Sequence, residues 1–150
     1  MATSIISVVG WHNVGKTTVI ERLVAELKRR GLRVATIKHT RGNFALDQPG
    51  SDTYRFAQAG SDVVVISGQD QIAFIERRPE LMLDEIVARL PQDLDLVIAE
   101  GFKRAAAPKI EVLGLEEDER IARPDELLAI ISRRAPAGCL GHPAAVGGGW

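Results

Sequence analysis

A glycine-bounded loop between an apolar run and an amphipathic segment is the feature that most constrains how this chain folds. Residues 4–9 are mostly apolar and β-branched, which predicts a short buried strand. Residues 10–17 follow with the sequence GWHNVGKT, which has the spacing G-x-x-x-x-G-K-[ST]. Over residues 16–30 the apolar positions form one helical stripe, and Gly31 is a typical helix end. Because a second apolar run occupies residues 33–38, the segments predict a βαβ unit with parallel strands.

The loop has the composition of a phosphate-binding loop, or P-loop. Gly10 and Gly15 permit a tight turn whose backbone N–H groups point inward around a phosphate. The helix that follows adds the positive end of its dipole. Lys16 is placed to reach β- and γ-phosphate oxygens, and the Thr17 hydroxyl is placed to bind Mg²⁺. Two large side chains, Trp11 and His12, lie inside the loop, and we expect them to pack in an ordinary way or to face solvent.

The remaining patterns extend this unit into an α/β protein. Strands are predicted over residues 62–67, 71–76, 94–99, 109–113 and 127–132, and the first two of these form a hairpin. Helices are predicted over residues 52–59, capped by Asp52 and stopped by Gly60, and from Pro79 to about Leu90. The predicted fold is a P-loop NTPase-like, mostly parallel twisted sheet flanked by helices, with an additional β-hairpin. We expect residues 1–135 to form the nucleotide-binding domain and residues 136–150 to form a loose C-terminal tail.

Composition excludes several other classes of protein. The 150 residues include one cysteine, which rules out an internal disulfide framework and a cysteine-rich zinc site. The 19 Lys and Arg against 20 Asp and Glu give no general reason to expect nucleic-acid binding. No apolar run approaches the ~20 residues that a membrane span needs, and no signal peptide is evident. A cytoplasmic protein that binds neither membranes nor nucleic acid is therefore expected.

Polar residues follow the other predicted parallel strands. In open α/β sheets, ligands bind beyond the carboxyl ends of the strands. The second strand ends at Lys38 and His39, and a later one ends at Glu100, Gly101 and Lys103. Glu100 is suited to hold Mg²⁺ through a water or to orient an attacking water. Gly101 would let the backbone approach a ligand.

The segment after the second strand has two interpretations. As a switch or second-anion site, it would bind a further phosphate through Lys38, His39 and Arg41, while Asp47 reaches the metal. As an ordinary solvated loop, it would only lead into a helix capped at Asp52. A smaller basic group resembles a solubilising surface cluster and consists of Lys103, Arg104 and Lys109.

Taken together, four segments are more specific than the P-loop alone. They are GWHNVGKTT at 10–18, KHTRGNFALDQPGSDTYRFAQAG at 38–60, EGFK at 100–103 and PKIEV at 108–112. In this order they resemble the MobB family of molybdopterin-guanine dinucleotide biosynthesis adaptor proteins, over about residues 3–132. The resemblance implies a homodimer that binds GTP and Mg²⁺ and is at most a slow GTPase. It also implies a MobA-type guanylyltransferase, which joins GMP to molybdopterin, as the partner, with molybdopterin itself as a further candidate.

The resemblance also assigns roles to residues of this chain. Nucleotide binding falls to Gly10, His12, Asn13, Val14, Gly15, Lys16, Thr17, Thr18, Lys38, His39, Asp47, Asp52, Arg55, Gly101 and Lys103. Catalysis falls to Lys16 and Glu100, and Mg²⁺ binding to Thr17, Asp47 and Glu100. The chain departs from the family at Thr40-Arg41, where many relatives carry further histidines.

The residues themselves leave open which nucleotide is bound, and they leave open two alternative functions. The chain lacks the N-K-x-D sequence by which many GTPases bind guanine, so the motifs leave GTP and ATP undistinguished. A small-molecule kinase would use the same loop with an arginine-rich lid, for which Arg77-Arg78 and Arg133-Arg134 are candidates without a clear lid pattern. A partner-binding module would use nucleotide only to order its structure, with the hairpin around residues 67–78 as an exposed apolar patch and dimer element.

Overall fold

The computed structural model describes residues 3–40, 42, 44, 47–114 and 119–132. The chain divides into two compact units, one formed by Met1–His39 with Met82–Trp150 and the other by Thr40–Leu81. The single nucleotide-binding domain over residues 1–135 stays a prediction. The loose tail predicted for residues 136–150 lies outside the described residues.

The secondary structure follows the predicted order. The elements are β1 (Ser4–Val9), α1 (Lys16–Arg29), β2 (Val34–Lys38), α2 (Asp52–Gln58), β3 (Val63–Ser67), β4 (Ile72–Glu76), α3 (Leu83–Val87), β5 (Leu96–Glu100), β6 (Lys109–Val112), a 3₁₀ turn (Pro124–Glu126) and β7 (Leu127–Ile131). Most bounds lie within one or two residues of those expected from the sequence.

The larger unit contains a five-stranded sheet in the order β2-β5-β1-β6-β7, in which all the neighbouring strands are parallel. β5 lies between β1 and β2, so the two strands of the first crossover are parallel without being neighbours. The apolar stripe of α1 covers one face of the sheet around Val8 and Ile98. Leu83 of α3 packs against Ala99 on the other face. The predicted fold class, a mostly parallel sheet flanked by helices, is confirmed.

The smaller unit contains α2 and a separate antiparallel pair, β3 and β4. Val65 lies opposite Phe74 in this pair, which confirms the predicted hairpin. α2 packs against β3, and Val64 is the buried residue of that strand. Since side chains alternate along a strand, Val63 and Val65 face away from Val64.

One predicted helix start and one predicted cap need correction, whereas α2 begins at Asp52 as expected. α3 begins at Leu83 rather than at Pro79, because the Glu85 carboxylate accepts the backbone N–H of Met82 at 2.8 Å and fixes the start of the helix there. Met82, directly before this helix, is exposed. α2 is capped by Ser51 rather than Asp52, because the Ser51 hydroxyl accepts the Tyr54 N–H at 3.1 Å.

In the part of the chain that the structure describes, no helix combines the length and the apolar character needed to cross a membrane.

Candidate phosphate-binding site

Three neighbouring strand ends build one edge of the larger unit. Glu100 at the end of β5 lies in register with Val8 of β1 on one side and with Lys38 of β2 on the other. Two backbone hydrogen bonds continue the pairing past the strands: the Gly101 N–H donates to Val8 at 3.0 Å, and the His39 N–H donates to Glu100 at 3.0 Å. The glycine loop and the polar residues after β2 and β5, separated by up to 90 positions in the sequence, therefore meet at one place.

The loop begins with a glycine that no other residue can replace without a shift in the backbone. A Cβ on Gly10 would stand 2.5 Å from the carbonyl oxygen of Val112 and 2.9 Å from Cγ2 of Val14. Asn13 and Gly15 take positive φ angles, 60° and 99°, and close the turn directly before α1. No side chain of the described residues caps the start of α1, so its first N–H groups can bind an anion. Thr17 and Thr18 lie in this exposed first turn.

The charges of one glutamate and two other lysines at this edge act on Lys16. Burial lowers the pKa of Lys16; the charge of Glu100 opposes this shift, and the charges of Lys103 and Lys38 add to it. The Lys16 ammonium donates a hydrogen bond to the carbonyl oxygen of Trp11 at 2.7 Å, so it folds back over its own loop. A polyphosphate would suit this group, since it would bring negative charge to cations that repel one another.

The exposed loop residue Trp11 makes two specific contacts through its side chain. Its indole N–H donates to the carbonyl oxygen of Glu119 at 2.7 Å, and the Lys103 ammonium lies 4.7 Å from the centre of its ring. The sequence offered no signal for this contact, because Glu119 is 108 positions away. On the β2 side of the edge, the rings of His39 and Phe102 lie 5.0 Å apart.

Two buried charges hold the segments that flank the site. Lys109 was expected on the surface, which is wrong: its side chain is fully buried. Its ammonium donates to the carbonyl oxygens of Ala105 at 2.8 Å and Ala107 at 3.3 Å, and it pairs with Glu126 at 2.9 Å. Glu111, also buried, accepts the Arg120 guanidinium at 2.6 Å and the backbone N–H of Ile121 at 2.5 Å. The alternating charged and apolar residues of KIEV were the available signal for this arrangement.

The remaining predicted site residues belong to the smaller unit. Asp47 accepts the Thr53 hydroxyl and, at 2.8 Å, the Gln48 N–H. Hydrogen bonds, first from Thr53, lower the pKa of the Asp47 carboxyl. Asp52 and Arg55 form an exposed ion pair at 3.7 Å. The nucleotide and metal roles of these three residues stay predictions, and Arg41 lies outside the described residues.

The side chains at the strand ends of the larger unit fit Mg²⁺ and a nucleotide. Among the described residues, no three His, Cys, Asp or Glu side chains gather in a cluster that could hold a metal ion. Mg²⁺ does not require such a cage, because it is commonly bound by one or two protein oxygens together with substrate phosphates and water. Thr17 and Glu100 would supply oxygens of this kind, and Lys16, Lys38 and Lys103 would supply charge for phosphates.

A mostly parallel sheet flanked by helices, with a glycine loop leading from its central strand into α1, defines a P-loop NTPase-like α/β protein. Residues 5–133 match the family model of molybdopterin guanine dinucleotide synthesis protein B, MobB. The chain therefore belongs to the MobB family, which confirms the resemblance found in the sequence and assigns the chain to molybdopterin-guanine dinucleotide biosynthesis.

The chain is also similar in sequence and in structure to individual members of this family. The chain is 32% identical to the molybdopterin-guanine dinucleotide biosynthesis adapter protein of Haemophilus influenzae, over 88% of this chain and 75% of the relative. The Escherichia coli protein of the same description is 34% identical, over 79% of this chain and 68% of the relative. Among solved structures, Bacillus subtilis MobB matches with a TM-score of 0.74 at 32% identity, covering 88% of this chain and 81% of that one. A MobB homolog from Bacillus stearothermophilus matches with a TM-score of 0.67 at 31% identity, covering 93% and 84%.

Proposed function

We propose that this protein is a GTP-binding adapter with slow GTPase activity that assists the attachment of GMP to molybdopterin. The observation that carries the proposal is the meeting of the glycine loop with Lys16, Lys38, Lys103 and Glu100 at one sheet edge. Relatives that share this chain's pattern are described as adapter proteins of the same biosynthesis. The cytoplasm is the proposed compartment.

Each residue of the edge has a defined task in this proposal. The backbone N–H groups of the loop and the first turn of α1 bind the phosphates, and the Lys16 ammonium moves from the Trp11 carbonyl onto the terminal phosphates. Thr17 and Glu100 would hold Mg²⁺, which when bound neutralises charge on those phosphates. Among the described residues, the cations that act on Lys16 are lysines rather than an arginine. A site without an arginine finger stabilises the transition state weakly, which accounts for the slow turnover that we propose.

The guanine preference has a direct test. Labelled GTP bound to the protein with Mg²⁺ is competed with unlabelled GTP or ATP. GTP should displace the label at concentrations at which ATP does not. Equal displacement by ATP would refute a guanine-specific site and leave a general nucleoside triphosphate site.

The role of Glu100 is tested separately from binding. Glu100→Gln keeps the size of the side chain but removes its charge. We expect GTP affinity to change by less than about threefold, whereas hydrolysis falls by about 10²-fold, a size typical of lost general-base or positioning groups. A turnover rate equal to that of the wild type would remove Glu100 from the catalytic role.

The proposed partner is the guanylyltransferase that joins GMP to molybdopterin, with molybdopterin as a further ligand. An immobilised sample of this protein should retain the purified transferase when loaded with GTP, and Lys16→Ala should retain less of it under the same conditions. Retention that is the same for both proteins would show that the partner binds independently of the nucleotide site.

No observation favours the alternative of a small-molecule kinase with an arginine-rich lid. Of its candidate lid residues, Arg78 pairs with Glu76 at 3.2 Å, and Arg133-Arg134 lie outside the described residues.

The proposal includes a homodimer that forms through the hairpin of the smaller unit. Val63, Val65, Ile72 and Phe74 lie on the face of β3 and β4 that points away from Val64, and each of them is exposed. Contiguous apolar residues on an exposed sheet face are typical of interaction surfaces. A second copy of the same hairpin would cover the face with matching apolar side chains.

A further inference from the structure

Trp11 contacts two of the three lysine ammonium groups at the phosphate site. Its backbone carbonyl accepts the Lys16 ammonium at 2.7 Å, and the Lys103 ammonium lies 4.7 Å from the centre of its ring. The second distance is within the range of a cation–π interaction, in which the negative face of an aromatic ring attracts a cation. One loop residue therefore links the lysine of the P-loop motif to the lysine that follows β5.

The Trp11 ring is held in position by a segment that is anchored to β6. The indole N–H donates to the carbonyl of Glu119 at 2.7 Å. The next two residues, Arg120 and Ile121, are held by the buried Glu111 carboxylate at 2.6 Å and 2.5 Å. Glu111, a buried residue of β6, is thus connected to the Trp11 ring through these hydrogen bonds and the backbone of residues 119–121. The ring is therefore held in one orientation.

Lys103 needs such a support to stay near the loop. Its side chain is exposed. Burial is the main cause of the lowered pKa of Lys16, and the charge of Lys103 adds to that shift because the two ammonium groups repel each other. Without a ligand, repulsion and the rotational freedom of a long side chain would both favour positions away from Lys16. Attraction to the face of the Trp11 ring opposes both the repulsion and the loss of rotational freedom, and it keeps the Lys103 ammonium in place.

We propose that Trp11 is a positioning residue of the phosphate site, whose ring holds the Lys103 ammonium beside Lys16 so that the loop offers two cations to a bound triphosphate. The inference rests on the proposed nucleotide function and deepens it. Removing the ring leaves the Trp11 carbonyl, the acceptor of Lys16, in the backbone. The effect of the ring on nucleotide binding should therefore pass through Lys103.

A double-mutant cycle with Mg-GTP measures this dependence by calorimetry. Trp11→Leu should weaken GTP binding by about fivefold, the size expected of one partly exposed cation–π contact. Lys103→Met should weaken it at least as much, because it removes the ammonium group itself. The double variant should bind about as weakly as Lys103→Met alone, since the ring has no cation left to position. Trp11→Phe keeps an aromatic face but loses the indole N–H that binds Glu119, so its affinity should lie between those of the wild type and Trp11→Leu. Melting temperatures of all variants confirm that they remain folded.

A second readout uses the indole itself and needs no nucleotide. The chain has two tryptophans, so in a Trp150→Phe background Trp11 is the sole fluorophore of this type. Lys103→Met should change the Trp11 emission of the nucleotide-free protein. Added inorganic triphosphate should change the emission of the parent protein more than that of the Lys103→Met variant.

The outcomes separate the inference from the proposed function. If the wild type binds GTP but the two single effects add up, or Trp11→Leu binds as the wild type does, the positioning role is overturned and the nucleotide site stands. If Lys103→Met leaves the emission of the nucleotide-free protein unchanged, the contact itself is absent. If the wild type binds neither GTP nor inorganic triphosphate, both proposals fail.

Discussion

At Gly10 the loop runs so close to β6 that a single methyl group does not fit. The Val112 carbonyl oxygen would lie 2.5 Å from a Cβ at this position, and this oxygen belongs to the backbone of a sheet strand. The strand cannot move without disturbing its pairing with β1 and β7. Steric exclusion at one residue therefore fixes where the loop leaves the sheet, and with it the direction of the N–H groups that follow.

Gly10→Ala is expected to impair both the fold and the site. The added methyl group should lower the free energy of unfolding by about 1–3 kcal/mol, the usual cost of overpacking. It should also weaken GTP binding, because the loop has to shift. Urea unfolding and calorimetry measure the two effects.

The matched control for this variant is Gly31→Ala, at the end of α1. Gly31 has a φ of 80°, and no atom of the described residues beyond its chain neighbours lies within 4 Å of the place that an added methyl group would take. Alanine there costs backbone strain of about 1–2 kcal/mol without a steric clash. Its GTP affinity should equal that of the wild type. A Gly10→Ala protein that also keeps wild-type affinity would show that the approach of the loop to Val112 does not shape the site.

At the scale of elements, β6 carries two buried charges that anchor chain segments beside the site. Lys109 holds residues 105 and 107 and reaches Glu126 in the 3₁₀ turn, while Glu111 holds residues 120 and 121. Buried charges are tolerated when they are paired and hydrogen-bonded, as both of these are. The strand thus organises irregular segments that have little regular hydrogen bonding of their own.

This arrangement predicts a pH dependence of stability. The hydrogen bond from Lys109, followed by one from the Arg123 backbone N–H, lowers the pKa of Glu126. A carboxyl whose pKa is lower in the folded state stabilises the fold above its ordinary pKa, and this contribution is lost as the pH falls through the lowered value. Glu126→Gln should therefore be less stable than the wild type at pH 7, and the difference should shrink on acidification.

Thermal unfolding between pH 7 and pH 3 measures that difference, with Glu21→Gln on the exposed side of α1 as the control variant. A gap between Glu126→Gln and the wild type that stays constant over this range would contradict the assigned ion pair.

The sequence predicted those features that depend on neighbouring residues. The strand, loop and helix around Lys16 and the hairpin of β3 and β4 are set by local periodicity and glycine positions, and both were found where expected. The insertion of β5 between β1 and β2 could not be derived, because strand order depends on packing across the whole sheet. Lys109 looked like a surface residue because its acceptors are backbone carbonyls and a glutamate 17 positions away. The contact between Trp11 and Glu119 could not be predicted either, because the two residues are 108 positions apart in the sequence.

At the scale of the whole molecule, the two units present different kinds of surface. The larger unit presents charge at the carboxyl ends of three parallel strands. The smaller unit presents an apolar hairpin face, with Phe74 at 66% exposure. The proposed nucleotide site and the proposed association surface would together suit an adapter, which has to bind a ligand and other protein chains.

The homodimer proposal predicts a change of mass for one substitution. Phe74→Asp places a charge in the middle of the apolar hairpin face, and burying that charge against a second copy would be unfavourable. Sedimentation should show a dimer for the wild type and a monomer for Phe74→Asp. Phe56→Asp, an exposed aromatic residue on α2 of the same unit, is the control and should remain dimeric. A Phe74→Asp protein that sediments as a dimer would exclude this face as the interface.

The central claim is that the turn from Gly10 to Thr17 holds the phosphates of a nucleotide. A crystal structure of the protein with a non-hydrolysable GTP analogue and Mg²⁺ tests it most directly. The proposal predicts the triphosphate inside that turn, with the Lys16 ammonium moved from the Trp11 carbonyl to the terminal phosphates and Glu100 facing the metal. A structure in which the turn is empty and the analogue lies elsewhere on the protein would contradict it.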